Sequence, residues 1–252
     1  MVRTFCTIFF LTLFTQANQA QNNSGSATQN GNVNQLVIRQ TGSINSVDAE
    51  QRGSYNQGTV QQKGSQQEAT QKQYGYVNKA AIRQIGDLNE IYQKQQGSYN
   101  SAQSIQEGEE LTANQRQYGK GNWAFVRQGS GATVKLESYS GNLYELSGGT
   151  ASNSTAEQLQ DGKYNVAAVQ QVGAGHYSSQ YQEGNKNFSY SNQDGTGHTA
   201  NSTLYGDRNE SAILQRGNDN VGSVTLFGNQ QAIINQQGAE NMAVVKGNNG
   251  GV

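Results

Sequence analysis

The sequence predicts an all-β protein: a β-solenoid of about ten two-stranded coils, about 22 residues per coil, with cross-β, amyloid-like stacking. Three observations carry the prediction. Glycine recurs at one fixed short spacing over most of the chain. Between glycines, small or apolar residues alternate with polar ones, the period-two pattern of a strand with one buried face. The 252 residues contain no proline, although average usage of about 5% would give roughly a dozen. Proline removes a ladder hydrogen bond and is kept out of central strands.

The repeating unit is clearest over residues 75–95. Gly75, Asn78, Ala80, Ile82 and Gln84 make one copy, and Gly86, Asn89, Ile91, Gln93 and Gln95 the next. The period takes hold at Gly31 and continues through the turn glycines Gly42, Gly53, Gly64, Gly75, Gly86, Gly97, Gly108 and Gly119. Asn78, Ala80, Ile82 and Gln84 are two residues apart and share one strand face, leaving Lys79, Ala81 and Arg83 outward. The segment around each glycine is a tight turn, where glycine supplies a positive φ. A turn at each of these glycines leaves too little length between them for stable helices.

Two strands and two turns close one coil, so each strand stacks on the next but one. At the 22-residue spacing, Asn34, Asn56, Asn78, Asn100 and Asn122 form one column, and Gln40, Gln62, Gln84, Gln106 and Gln128 another. Ile38, Val60, Ile82, Ser104 and Val126 lie between them. Further along the chain the columns resume as Asn165, Asn187 and Asn209 and as Gln171, Gln193 and Gln215. The facing sheet is more polar, with Ala49, Gln71, Gln93 and Gln115 in the matching column. Side-chain amides stacked at the ~4.8 Å strand repeat can bond along the column, which satisfies groups that are costly to bury unpaired. Ten coils give a rod of about 48 Å. Its ends are open sheet edges with no evident cap, and unprotected edges recruit further strands.

Four segments fall outside the regular period. Residues 1–20 have the form of a secretory signal peptide: Arg3 is followed by an apolar run too short to span a bilayer. Cleavage is expected after Ala17 or after Ala20. A buried N-terminal strand is the other reading, and nothing after residue 20 is comparably apolar. Residues 21–30 are polar and are expected to be flexible. Residues 31–247 are the repeat domain, degenerate at 130–161: Thr133 and Tyr144 stand at Asn positions, and Lys135 and Glu137 where small apolar residues belong. One residue is also lost before Gly162, so a strained turn, a bulge or a local loop is expected there. Residues 248–252 are a tail.

Composition narrows the function. With 33% hydrophobic residues the chain is poor in apolar groups, and its net charge of −1 is scattered, without the basic stripe of a nucleic-acid binder. The single cysteine, Cys6, lies in the expected leader, which leaves the mature chain without disulfides, cysteine metal sites or a thiol nucleophile. His176 and His198 both occupy the Asn position, one coil apart, and without a carboxylate or cysteine at ligand spacing they are read as ladder residues. Asp48 and Glu50 face outward together and Glu109 and Glu110 share a turn, but neither pair forms a pocket. No catalytic, cofactor-binding or metal-binding residue is expected, and the protein is read as a non-enzyme. Trp123 and Phe125 are expected to project outward on one strand, as aromatics that dock a partner or lie between laterally packed fibres, or as a surface cluster without a role.

The unit Gln-x-Gly-x-x-Asn-x-Ala-x-x-x-Gln resembles the curlin repeat of bacterial curli fibres. Gln73, Gly75, Asn78, Ala80 and Gln84 carry it, as do Gln117, Gly119, Asn122, Ala124 and Gln128, and the resemblance spans about residues 31–247. It implies a fibre subunit secreted through the outer membrane that forms extracellular functional amyloid in a biofilm matrix and supports cell adhesion. The implied partners are copies of itself, other curlin-like subunits, and the outer-membrane secretion and anchoring machinery. Successive half-repeats here often both carry Asn, as in Asn45 and Asn56 or Asn89 and Asn100, which is more similar to the minor, nucleating subunit than to the major one. The alternative is a secreted monomeric solenoid adhesin binding carbohydrate or a surface. No column of outward threonines supports it, since residues 35, 57, 79, 101 and 123 are Gln, Gln, Lys, Ser and Trp.

Overall fold

The computed structural model describes residues 10–15, 22–129, 134–138, 140–146 and 149–247. Each unit is one strand, and successive units alternate between two parallel sheets. Sheet A starts with Phe10–Thr15 and Gln35–Ser43 and ends with Gln231–Ala239; sheet B runs from Ser24–Asn30 to Met242–Lys246. Nine complete coils result, from Gln35–Ser43 with Ser46–Ser54 to Gln231–Ala239 with Met242–Lys246. The register is the one the period requires: Gln62 stacks on Gln84, and Gly64 on Gly86.

Alternation decides which side chains are inside. In Lys79–Asp87, Ala80, Ile82 and Gln84 are buried while Lys79 and Arg83 are exposed. Burying an isoleucine such as Ile82 contributes about 1.5–3 kcal/mol. The interior changes along the axis. Through most coils, aliphatic residues such as Leu36, Val60, Ile82 and Val126 share the core with buried glutamines. In the last coils the filling is more apolar, with Leu204, Ile213, Val224, Leu226 and Ile234 in one cluster beside the buried Gln215 and Gln236.

The corners explain the glycines. Gly75 has φ 118°, and a Cβ there would lie 2.0 Å from the carbonyl oxygen of Gly97 in the next coil. Both conformation and close approach therefore require glycine. Two residues on, Val77 also sits at positive φ, 54°, a position costly for a β-branched side chain. Its N–H donates to the Ser54 carbonyl at 3.0 Å, so a coil-to-coil bond holds the corner.

The degenerate region contains a loop. Gly129 stacks on Glu107, and the adjacent position, Gly108, is taken by Ala151. The chain leaves the solenoid after Gly129 and returns in register at Ala151. Partners across the excursion are consequently 43 positions apart in the chain, as for Gln115 and Gln158. The loop adds no coil, which is why nine are present and not the ten that the period implies. Within it Val134–Glu137 pairs antiparallel with Leu143–Leu146. It lies over the outer face of sheet A, where Ser140 and Asn142 both hydrogen-bond Glu210, the latter at 2.6 Å. Thr155–Lys163 is again a regular sheet B strand.

At the N-terminal end, Ser24–Asn30 is a strand against Ser46–Arg52. Asn23, Ala27 and Gln29 hold the places of Asn45, Ala49 and Gln51 one coil on, so the segment expected to be flexible is a further half-coil. Phe10–Thr15, inside the expected leader, lies parallel against Gln35–Gln40. Both expected cleavage positions and the 248–252 tail fall outside the described residues.

Candidate functional site

The candidate site is the set of polar rows inside the solenoid, of which the sheet A glutamine row runs from Gln40 to Gln236. Strand alternation aims these side chains inward, and the register between coils brings like residues together.

The sheet A glutamine row is unbroken. Nε2 of each residue donates to Oε1 of the next: Gln40 to Gln62 at 3.0 Å, Gln62 to Gln84 at 2.9 Å, Gln84 to Gln106 at 3.1 Å and Gln106 to Gln128 at 3.0 Å. It crosses the excursion, Gln128 to Gln171 at 2.7 Å, and continues to Gln193, Gln215 and Gln236. The second amide hydrogen goes to backbone carbonyls, as from Gln84 to Glu68 and Asn89, both at 2.9 Å. A buried primary amide with both donor sites used carries little desolvation penalty.

The asparagine row works differently. Its shorter side chain reaches the backbone of the neighbouring coil. Oδ1 of Asn56 accepts the backbone N–H of Asn78 at 3.1 Å, and its Nδ2 donates to the Gly75 carbonyl at 3.1 Å. Asn34, Asn78, Asn100, Asn122, Asn165 and Asn187 repeat the backbone contacts. Direct amide-to-amide contacts occur only in part of this row, for example Asn78 to Asn56 at 3.1 Å and Asn209 to Asn187 at 3.1 Å. The asparagines are thus corner staples between coils, and the glutamines form the side-chain ladder.

Sheet B carries two more glutamine rows. One joins Gln29, Gln51, Gln73, Gln95, Gln117, Gln160 and Gln182 at 2.7–3.0 Å. Leu204 and Leu226 continue its position without an amide. The other joins Gln71, Gln93, Gln115, Gln158 and Gln180. The glutamine that closes each unit is the sequence signal for the first. The second has no counterpart in sheet A, where Val60, Ile82 and Val126 hold the same unit position. The sheet B asparagine position is mixed, with Asn45, Gln67, Asn89, Leu111, His176 and His198 all buried there.

The other singled-out groups lie outside these rows. Asp48 and Glu50 are on the outer face: Asp48 pairs with Lys72 at 3.5 Å and Glu50 accepts from the Tyr74 hydroxyl at 2.6 Å. That hydrogen bond lowers the Glu50 pKa, while burial and the same bond push Tyr74 up to about 12. Trp123 and Phe125 stack with centroids 5.6 Å apart. They do face outward, but Phe125 is only 2% exposed, in a buried cluster with Ile105, Ala168, Phe188, Tyr190 and Ala212.

No known protein family and no curated protein matches the chain. The fold defines its class: a parallel β-solenoid with repeats of about 22 residues and buried Asn and Gln ladders, consistent with curlin-like repeats.

Proposed function

We propose that the protein is a curlin-like structural subunit, secreted and polymerised end to end into functional amyloid at the bacterial surface, where the fibres serve biofilm matrix and adhesion. One observation carries the reading. The outer edges of Gln231–Ala239 and Met242–Lys246 have no partner strand among the described residues, while a buried glutamine row compatible with an amyloid-like structural protein runs from Gln40 to Gln236 in sheet A. An unpaired parallel edge is a template for another chain. Copies of itself and related subunits are the partners, with outer-membrane secretion and anchoring machinery. The paired Asn half-repeats favour a nucleating role. Chemistry is carried by stacking, and the outward carboxylates Asp48 and Glu50 serve surface ion pairs and hydrogen bonds.

Purified protein beginning at Gln21 is expected to form thioflavin-positive fibres after a lag. Persistence as a monomer at high concentration would instead favour a solenoid adhesin. As a nucleator, it should abolish the lag of a curlin-like partner at substoichiometric amounts; an unchanged lag would assign it to bulk subunit or independent fibre.

A further inference from the structure

The outer face of sheet A changes character beneath the excursion. In the early coils its outward residues are polar and exposed, among them Gln35, Arg39, Gln57, Gln61, Lys79 and Arg83. From the strand Trp123–Gly129 onward one column of this face is apolar, beside polar outward residues such as Arg127, Gln170 and Glu210. Phe125, Ala168, Tyr190 and Ala212 are consecutive partners in one outward column, and Ile105 and Phe188 pack beside them; all six are buried. The polar interior does not use these groups. The excursion is anchored on both sides of the patch: Ser140 and Asn142 tie to Glu210, and the Thr150 carbonyl accepts the Gly173 N–H at 2.7 Å. A Cβ on Gly149 would meet Val172 at 2.2 Å, so the returning chain lies hard against the solenoid.

Two further features mark the excursion as a cover rather than part of the ladder. Register and the glutamine row pass beneath it unbroken, Gln128 to Gln171 at 2.7 Å. Gln170, fully buried in this region, has both amide atoms without a hydrogen-bond partner among the described residues. Burial of an unpaired amide opposes closure of the cover, unlike the satisfied amides of the core.

We propose that the hairpin of Val134–Glu137 with Leu143–Leu146, tied to Glu210 through Ser140 and Asn142, is an intramolecular shield over an apolar stripe of sheet A, and that this shield keeps assembled filaments from pairing side by side. The stripe's backbone bonds are already made within the sheet, so it cannot recruit a strand and can only pack face to face. Along an end-to-end filament it recurs once per subunit, and a second filament of the same protein presents stripes at the same spacing. An uncovered patch of this kind drives association. The inference rests on the polymer reading above for its filament consequence only, because the shield itself can be read on the monomer.

The test joins Gly129 directly to Ala151, the junction the register permits. Against the chain from Gln21, the spliced variant is expected to bind several-fold more of a hydrophobic dye as a monomer, to form side-by-side dimers in sedimentation, and to give paired or bundled filaments. Adding Phe125→Ser, Phe188→Ser and Tyr190→Ser to the splice should return dye binding and single filaments. A spliced variant with wild-type dye binding and no lateral association overturns the proposal, as does bundling that the triple substitution leaves intact. Should the splice lose its β-sheet circular dichroism, Glu210→Ala in the uncut chain reads the same point: dye binding and hydrogen exchange over Val134–Glu137 and Leu143–Leu146 should rise, and no change in either overturns it. Failure of the uncut protein to form filaments counts against the polymer reading, while the monomer measurements still decide the shield.

Discussion

His176 and His198 sit one coil apart with near-parallel rings, 13° between planes and 5.1 Å between centroids, and Nδ1 of His176 accepts the backbone N–H of His198 at 3.3 Å. Nε2 of His176 meets the Val172 carbonyl at 2.8 Å, which assigns the proton to Nε2. The ring therefore makes the two contacts of an asparagine in this row, Oδ1 to the next N–H and Nδ2 to a carbonyl. Burial lowers the His176 pKa from the ordinary 6.5, since a charged ring would be desolvated and would point a donor at a donor. With the folded value below the unfolded one, the unfolded chain binds more protons as pH falls past about 6.5. Stability is full above that pH and is lost as pH drops through the folded value. Denaturation midpoints should fall between pH 7 and pH 5, and His176→Asn, which keeps both bonds without titrating, should flatten that slope. An unchanged slope in the variant would assign the pH dependence elsewhere.

Gln84 and Arg83 are neighbours with opposite fates. Gln84 is fully buried, accepts from Gln62 and donates to Gln106; Arg83 is on the surface and pairs with Glu107 at 2.8 Å. Gln84→Ala leaves an acceptor on Gln106 and a donor on Gln62 unpaired, at about 1–3 kcal/mol for each buried group. Arg83→Ala removes a half-exposed ion pair and should change stability by no more than about 0.5 kcal/mol. Assembly rates and denaturation midpoints should rank the two accordingly; the reverse ranking would invert the faces.

Gly75 and Gly228 separate backbone conformation from close approach. Both have positive φ, 118° and 65°, but a Cβ on Gly228 meets nothing within 4 Å. Gly228→Ala is expected to cost about 1 kcal/mol, as for a single left-handed residue. Gly75→Ala also drives a Cβ into the Gly97 carbonyl, and its loss of stability by thermal or chemical melting should be several times larger.

Phe10–Thr15 occupies the edge of Gln35–Gln40, which removal of the expected leader would free. Protein retaining residues 1–20 should elongate more slowly from preformed seeds than protein starting at Gln21. Equal rates would show that this edge is not where growth occurs.

Hydrogen exchange should be faster across Val134–Glu137 and Leu143–Leu146 than across residues 79–128, because a two-stranded antiparallel pair protects fewer amides than a strand flanked on both sides. Uniform protection would place the hairpin inside the cooperative unit.

The coil, its register and the sheet A rows are legible in the sequence because each follows from a fixed spacing: like residues recur coil after coil wherever Gly, Asn and Gln keep step. Asn23, Ala27 and Gln29 are harder to see because no glycine stands at the turn position before them, although the same spacing runs back from Gly31 through all three. The division of labour between Asn and Gln is hidden for a different reason. Spacing aligns side chains but does not say how far each reaches, and only geometry shows Asn78 contacting the Gly97 carbonyl while Gln84 contacts Gln106. Strand alternation places Phe125 on the outer face and cannot show that it is buried there in an apolar cluster.

The apolar filling of the last coils has a mechanical consequence. Within one subunit the sheet B row runs from Gln29 to Gln182 and then gives way to Leu204 and Leu226, while the sheet A row reaches Gln236. Where one subunit's final coil meets the next subunit's first, sheet A can hand its row of amides across the boundary and sheet B cannot. In the proposed end-to-end fibre every joint is therefore a seam with both sheet B rows missing. If the proposed fibre forms, shear should break it at the seams, into pieces that are whole numbers of subunits, each break exposing two fresh ends.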